Sequence, residues 1–326
     1  MKNSTLTLFL FAISSIYFVH AQEIKKVEEG TLMKINANPS KKFNYDYLIF
    51  LPNGIKKERT HYLLVEPNNT GYPDNSIKEH ERKAKILASG EHFSIGNFVS
   101  KKTGSPLLVP IFPRPKDRPL MYTHALDRDA MGIKDVKYER LDLQLKEMIK
   151  DAKEVLKRNN INTHEKIFMN GFSASASFVN RFAFLHPEII KAIATGGLNG
   201  ILMLPQKELA GEKLIYPLGI YDIKIPLGKE FNYGDYKKVS QFIYMGKKDT
   251  NDAVKYDDAY SEEERKIIHK TLSKKMLPNR WEICQTIYKL HKLNVEFRTY
   301  EHIGHETPGS VLWEVVEFFR RSKKTN

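Results

Sequence analysis

Short apolar runs and amphipathic helical stretches alternate along most of the chain. The apolar runs have the lengths and the bounding turn residues of buried strands, at residues 43–52, 61–67, 106–112, 166–170, 189–195, 241–246 and 294–300. Helical periodicity lies between and after them, at residues 139–160 and 174–186, after the Ser261 capping pattern, and at 310–321. Strands that alternate with helices favour a mostly parallel sheet covered on both faces. The sequence therefore predicts an α/β protein with one central sheet.

The interval 198–240 departs from this alternation. It is rich in Gly, Pro, Tyr and Leu and is too long to be a plain connection. We expect it to form either a cap over the functional site or additional edge strands. Its aromatic side chains either line an apolar pocket or form the small core of an insertion, and the sequence leaves both readings open.

The N-terminus has the pattern of an export signal. Lys2 precedes an apolar run over residues 6–19, and Ala21 stands where a signal peptidase prefers a small residue. The run is short for a membrane span. We expect residues 1–21 to be a signal peptide and residues 22–326 to be a secreted or periplasmic domain with no stable membrane span after cleavage. An uncleaved anchor is the alternative.

Composition excludes several classes of site. Cys284 is the only cysteine, so an intrachain disulfide and a cysteine-based zinc site are both excluded. The formal net charge of +13 comes with lysines scattered in short pairs and without a nucleic-acid motif, so we expect no nucleic-acid partner. The segment THALDRD (123–129) gathers charged residues, but carboxylates beside an arginine favour ion pairs over a metal site. We expect no metal and no cofactor.

One turn carries three serines, in the segment IFMNGFSASASFVNRFAFLHP (167–187). It lies between a predicted strand and a predicted helix, where a nucleophile occupies a strained turn above the sheet edge. Such a turn needs small residues two positions before and two after the nucleophile, and Gly171 and Ser175 meet that need around Ser173. The pattern alone is also typical of an ordinary strand-to-helix turn, so its partners must decide. We interpret Ser175 and Ser177 as helix residues.

A serine nucleophile needs a histidine to take its proton and a carboxylate to orient that histidine. Asp249 follows the predicted strand 241–246, and His305 follows the predicted strand 294–300. The carboxyl ends of strands are where open α/β sheets hold their sites. Asp252 remains an alternative acid and His302 an alternative base.

The segments NGFSAS, GKKDTNDAV and GHETP resemble the nucleophile, acid and histidine motifs of the α/β-hydrolase superfamily, from about residue 40 to the C-terminus. Secreted serine esterases and polyester-depolymerase-like members are the most similar. The resemblance implies an α/β-hydrolase fold with a cap or insertion around 198–240, and Ser173, Asp249 and His305 as the catalytic residues. Ser175 replaces the final glycine of the usual G-x-S-x-G pattern, a departure that lowers the specificity of the motif.

An oxyanion hole requires two N–H donors. The residue after the nucleophile supplies one, which points to Ala174. The loop EPNNTG (66–71) follows the strand that supplies the other donor in this fold, and the Asn69 amide is our first choice. The family often has glycines in this loop, whereas Asn tolerates similar backbone angles.

The sequence thus predicts a serine hydrolase that cleaves a small-molecule or polymer-borne carboxylic ester through an acyl-enzyme. A serine peptidase of the prolyl-peptidase type and a non-catalytic binding protein of the same fold are the alternatives.

Overall fold

A computed structural model describes residues 21–92, 94–121 and 125–324. The predicted signal peptide lies outside the described residues except for Ala21, which begins the first strand. The strands are β1 Ala21–Val27, β2 Gly30–Ile35, β3 Tyr47–Pro52, β4 Thr60–His61, β5 Leu64–Val65, β6 Leu107–Pro110, β7 Asn162–Thr163, β8 Ile167–Phe172, β9 Ile190–Gly196, β10 Glu208–Leu209, β11 Glu212–Lys213, β12 Ser240–Gly246 and β13 Val295–Tyr300.

The α-helices follow the same chain order. They are α1 Ile77–Ser89, α2 Ile95–Thr103, α3 Arg128–Gly132, α4 Leu141–Arg158, α5 Ala174–Leu185, α6 Lys224–Leu227, α7 Tyr233–Tyr236, α8 Glu262–Thr271, α9 Trp281–Leu290 and α10 Gly309–Ser322. Ser261 forms the predicted capping box with Glu264 at the start of α8.

A nine-stranded sheet dominates the described residues, in the order β1-β2-β3-β6-β5-β8-β9-β12-β13. The first four strands of this order pair antiparallel, and every pairing from β6 to β13 is parallel. The fold class predicted from the alternation of strands and helices is therefore confirmed. The carboxyl ends of β5, β8, β12 and β13 lie at one edge of the sheet, where they can bring distant segments together.

Two apolar layers cover the sheet. Side chains alternate across the strands, so that Phe168 of β8 lies in one layer while Ile167 and Met169 lie in the other. One layer packs with α1, α2 and α10, and the other with α4, α5 and α9. Strands buried on both faces read as continuous apolar runs, which explains why they stand out in the sequence.

The segment 198–240 packs against the second layer. Its strands β10 and β11 form a separate two-stranded sheet and do not extend the main one. Tyr216 and Tyr236 are fully buried, and the Phe231 ring stacks on Phe184 of α5 at 4.1 Å between centroids. These aromatics therefore pack the insertion onto the second layer of the main core. No helix in the described part of the chain is long and apolar enough to cross a membrane.

Candidate active site

The turn between β8 and α5 holds Ser173 in a strained backbone conformation, with φ 60° and ψ −125°. A non-glycine residue with such angles costs on the order of 1–3 kcal/mol and persists only when its surroundings enforce it. The Ser173 amide donates to the Gly196 carbonyl at 2.9 Å. Gly171 has no room for a side chain, because a Cβ there would lie 2.5 Å from the Ser175 carbonyl oxygen.

Ser175 takes the position of the missing glycine by bonding back to the strand. Its hydroxyl donates to the Phe172 carbonyl at 2.8 Å and accepts from the Phe172 amide at 2.9 Å. Ser175 is buried within α5, whereas Ser177, two residues further on, lines the cavity beside Ser173. The departure from the usual motif thus keeps the turn closed through side-chain hydrogen bonds.

Asp249 and His305 form a hydrogen-bonded couple just beyond the ends of β12 and β13. The Asp249 Oδ2 lies 2.8 Å from His305 Nδ1, and Asp249 Oδ1 accepts from the Asn251 amide at 2.8 Å. The Asp249 side chain is almost fully buried, while that of His305 is 29% exposed. A carboxylate at Nδ1 places the imidazole proton there, which leaves the Nε2 lone pair free to accept a proton.

Backbone contacts hold the acid and histidine loops together. The Lys248 amide donates to the Ile303 carbonyl at 2.9 Å, and the Lys247 amide donates to the Tyr300 carbonyl at 2.8 Å. Gly246 allows this approach, since a Cβ at this position would overlap the carbonyl oxygens of Ile303 and Gly304. The spacing between acid and base is therefore set by main-chain bonds.

The alternative acid and base lie elsewhere. Asp252 accepts from the Val254 amide at 3.1 Å and pairs with the buried Arg280 at 2.6 Å. His302 is exposed in the turn after β13. The structure therefore pairs Asp249 with His305 and gives Asp252 a bracing role.

Asn251 connects the histidine to the serine. Its Nδ2 lies 3.1 Å from His305 Nε2 and 3.4 Å from Ser173 Oγ. Both reacting atoms thus contact one amide nitrogen, which occupies the lone pair that a general base would use. Sequence reasoning placed Asn251 in the acid loop without giving it a role.

The two predicted oxyanion donors, Ala174 and Asn69, line the same cavity as Ser173. Ala174 is the first residue of α5, so its N–H has no partner four residues back within the helix. The Asn69 side chain accepts from the Gly71 amide at 3.1 Å and reaches the Phe172 carbonyl at 3.5 Å. Their roles as donors stay a prediction.

Glu66, the first residue of the loop 66–71, is a buried acid. It follows β5 and accepts from Asn170 Nδ2 at 2.7 Å. Burial raises the pKa of Glu66 to about 8, against the opposing hydrogen bonds from Asn170 and the Gly96 amide. The Asn170 Oδ1 has no partner among the described residues, so a turned amide would accept a hydrogen bond from a neutral Glu66 carboxyl group.

A cavity of about 320 Å³ opens beside Ser173, and its walls carry many polar side chains. Arg114 and Asp258 form an ion pair across it at 3.0 Å. Arg181 of α5 and Tyr260 line it as well. The described residues contain no cluster of His, Cys, Asp and Glu suited to a metal ion, and His124 of the segment 123–129 falls outside them.

Sequence reasoning also did not single out Arg181. Helical spacing could have found it, because it lies about two turns after Ser173 on the same side of α5 as Ser177.

No protein-family model matches the chain, and no curated protein matches it by sequence. Solved structures are similar in fold. An S-formylglutathione hydrolase from Agrobacterium tumefaciens has a TM-score of 0.51 at 11% identity, over 94% of this chain and 98% of that one. Poly(aspartic acid) hydrolase-1 from Sphingomonas sp. KT-1 has a TM-score of 0.50 at 14% identity, over 86% and 92%.

A ferulic acid esterase has a TM-score of 0.50 at 12% identity, over 90% of this chain and 98% of that one. At such identities the likeness carries the fold and not the activity. Together with the sheet order, it shows that the chain has the α/β-hydrolase fold.

Proposed function

We propose that the protein is a serine hydrolase that cleaves carboxylic esters through an acyl-enzyme. The observation that carries the proposal is the meeting of three groups: Asp249 Oδ2 lies 2.8 Å from His305 Nδ1, and one Asn251 nitrogen contacts both His305 Nε2 and Ser173 Oγ. A hydroxyl beside an oriented imidazole is the arrangement that activates serine as a nucleophile. The strained turn at Ser173 is further support.

The chemistry follows from these positions. Ser173 Oγ attacks the ester carbonyl carbon while its proton passes to His305 Nε2. The N–H groups of Ala174 and Asn69 stabilise the resulting oxyanion, and the imidazolium gives its proton to the departing alcohol. Water, deprotonated by His305, then attacks the acyl-enzyme, and the imidazolium returns that proton to Ser173 Oγ as the carboxylic acid leaves. Asp249 stabilises the imidazolium in both halves of the reaction.

Fluorophosphonate labelling tests the nucleophile. Ser173→Ala should abolish the covalent adduct and lower the hydrolysis of p-nitrophenyl esters by about 10⁴-fold or more, because the acyl acceptor is gone. Ser177→Ala is the matched control, since it removes the neighbouring hydroxyl of the same cavity and should keep the adduct. Peptide mapping that places the adduct on a residue other than Ser173 contradicts the assignment. Comparing esters with the corresponding anilides separates an esterase from a peptidase.

We also propose that the protein is exported, with residues 1–21 as the signal peptide. The apolar run and the small residue at its end support this proposal. The intact mass of the protein recovered from the periplasm or medium of an expressing bacterium should correspond to a chain that begins at Gln22. A mass that includes residues 1–21 would instead indicate an uncleaved anchor.

A further inference from the structure

A buried arginine lies in the wall of the cavity that contains Ser173. Arg181 is 5% exposed, donates from Nη1 to the Ala125 carbonyl at 2.7 Å and from Nη2 to the Tyr260 hydroxyl at 3.0 Å. Its guanidinium also lies over the Tyr260 ring, 5.6 Å from the centroid. Both bonds are to neutral oxygens. Within the described part of the chain, no carboxylate lies within ion-pair distance of this guanidinium.

The acids that face Arg181, Asp127 and Glu264, act on it only at longer range than an ion pair. Burial raises the pKa of Asp127 well above its ordinary value, and burial also raises the pKa of Glu264. Asp258, the acid that lines the cavity, is paired with Arg114. Arg181 therefore has no direct ion-pair partner among the described residues, and a bound anion would supply one to this buried guanidinium.

Two polar side chains beside the arginine have unused hydrogen-bonding capacity. The Tyr260 hydroxyl accepts from Arg181 and from Asn199 Nδ2, the latter at 3.2 Å, so its own proton is left without an acceptor in the residues described. Asn199 is 7% exposed, lines the cavity, and its Oδ1 has no partner there either. Turning the Asn199 amide would satisfy Tyr260 and leave the amide protons spare instead. In both orientations the cluster has a donor to spare for a ligand.

The cluster lies at a defined distance from the proposed nucleophile. Ser173 immediately precedes α5, and Arg181 follows eight residues later, which corresponds to about 12 Å along the helix axis. Long side chains on a helix point back towards its N-terminus, which favours a guanidinium closer to Ser173 than the Arg181 backbone, and both residues line the same cavity. A substrate group bound by Arg181 would therefore be separated by only a few bonds from a carbonyl of the same molecule held at Ser173.

We propose that Arg181, Tyr260 and Asn199 form a subsite for a carboxylate at the far end of the substrate's acyl group, so that the preferred substrates are half-esters of short dicarboxylic acids. Arg181 supplies a charge-assisted hydrogen bond, and the spare donor of the Tyr260–Asn199 pair supplies a second. The predicted substrate preference rests on the proposed ester hydrolysis. The binding of a carboxylate at these three residues does not depend on that function.

The test compares two esters of equal acyl length, the p-nitrophenyl half-ester of glutaric acid and p-nitrophenyl pentanoate. The readout is the ratio of their kcat/KM values, which loss of folded protein does not change. In the wild type the ratio should exceed one. Arg181→Met should lower it about 10- to 100-fold, the usual effect of removing a hydrogen bond to a charged group. Tyr260→Phe, a milder change, should lower it about 5-fold.

Arg298→Met is the matched control, because it removes one positive charge from an exposed position on β13 and should keep the wild-type ratio. A ratio that Arg181→Met and Tyr260→Phe both leave unchanged overturns the proposal. Should the wild type hydrolyse neither ester, the proposed function fails, and glutarate binding decides the subsite alone. Isothermal titration of Ser173→Ala protein should then show glutarate bound more tightly than pentanoate, and the double variant with Arg181→Met should lose the difference. Equal binding of the two acids also overturns the proposal.

Discussion

Glu66 should make the folded protein less stable as the pH rises. Its pKa is about 8 in the folded state and 4.5 without burial, so between these values the native state holds one proton more than the unfolded state. The stabilising contribution is complete below about pH 4.5 and is lost as the pH rises through 8. One pKa unit corresponds to about 1.4 kcal/mol, so the total is on the order of 4–5 kcal/mol.

Glu66→Gln isolates this contribution, because a glutamine amide stays neutral and can still bond to Asn170. Urea unfolding of both proteins at several pH values from 5.5 to 9 gives the free energy of unfolding of each. The variant should gain stability over the wild type by up to about 1.4 kcal/mol per pH unit, and the gain should level off above about pH 8. Glu282→Gln, at an exposed position of α9, controls for the loss of one acidic group. A difference between Glu66→Gln and wild type that is the same at pH 5.5 and 8.5 would refute the reasoning.

Two further variants test the geometry around the histidine. Asn251→Ala should raise the rate of reaction with a small fluorophosphonate about 5-fold, because it removes the amide that occupies His305 Nε2 and such a hydrogen bond contributes about 1 kcal/mol. A slower reaction would mean that Asn251 assists catalysis. Gly246→Ala should lower both the melting temperature and kcat, the latter by more than 10-fold, because the new methyl group pushes the carbonyls of Ile303 and Gly304 away. Unchanged kcat and melting temperature would show that the acid and histidine loops can move apart without loss of stability or activity.

The sequence predicted most of the elements that carry long apolar patterns. The central strands, α4, α5 and α10 all present long apolar patterns, and the structure places them within a few residues of the expected bounds. Helices α1, α2 and α9 were not predicted, α9 although it buries Trp281, Cys284, Ile287 and Tyr288. For α1 the reason is physical. The buried residues of α1 are His80, Ala84 and Ala88, which are polar or small and make no apolar stripe.

Other features depend on contacts that no local pattern records. The predicted strand at 61–67 is divided into β4 and β5, which pair with different partners. Asp249 and His305 could be chosen because the ends of parallel strands meet at one edge. The alignment of Arg181 with Tyr260 and Asn199 could not, since these residues come from three segments whose convergence depends on how the insertion and the loop before α8 pack.

A single rigid helix carries Ser173 at its beginning and Arg181 in its body. A helical position that faces the cavity recurs only after a full turn, so relocating the arginine would change the span between the two groups in jumps of about 5.4 Å. Under the proposed assignment, α5 determines the span between the nucleophile and the carboxylate subsite. Selectivity for acyl length in proteins built this way would switch between discrete classes, while the surrounding loops adjust only the fit within each class.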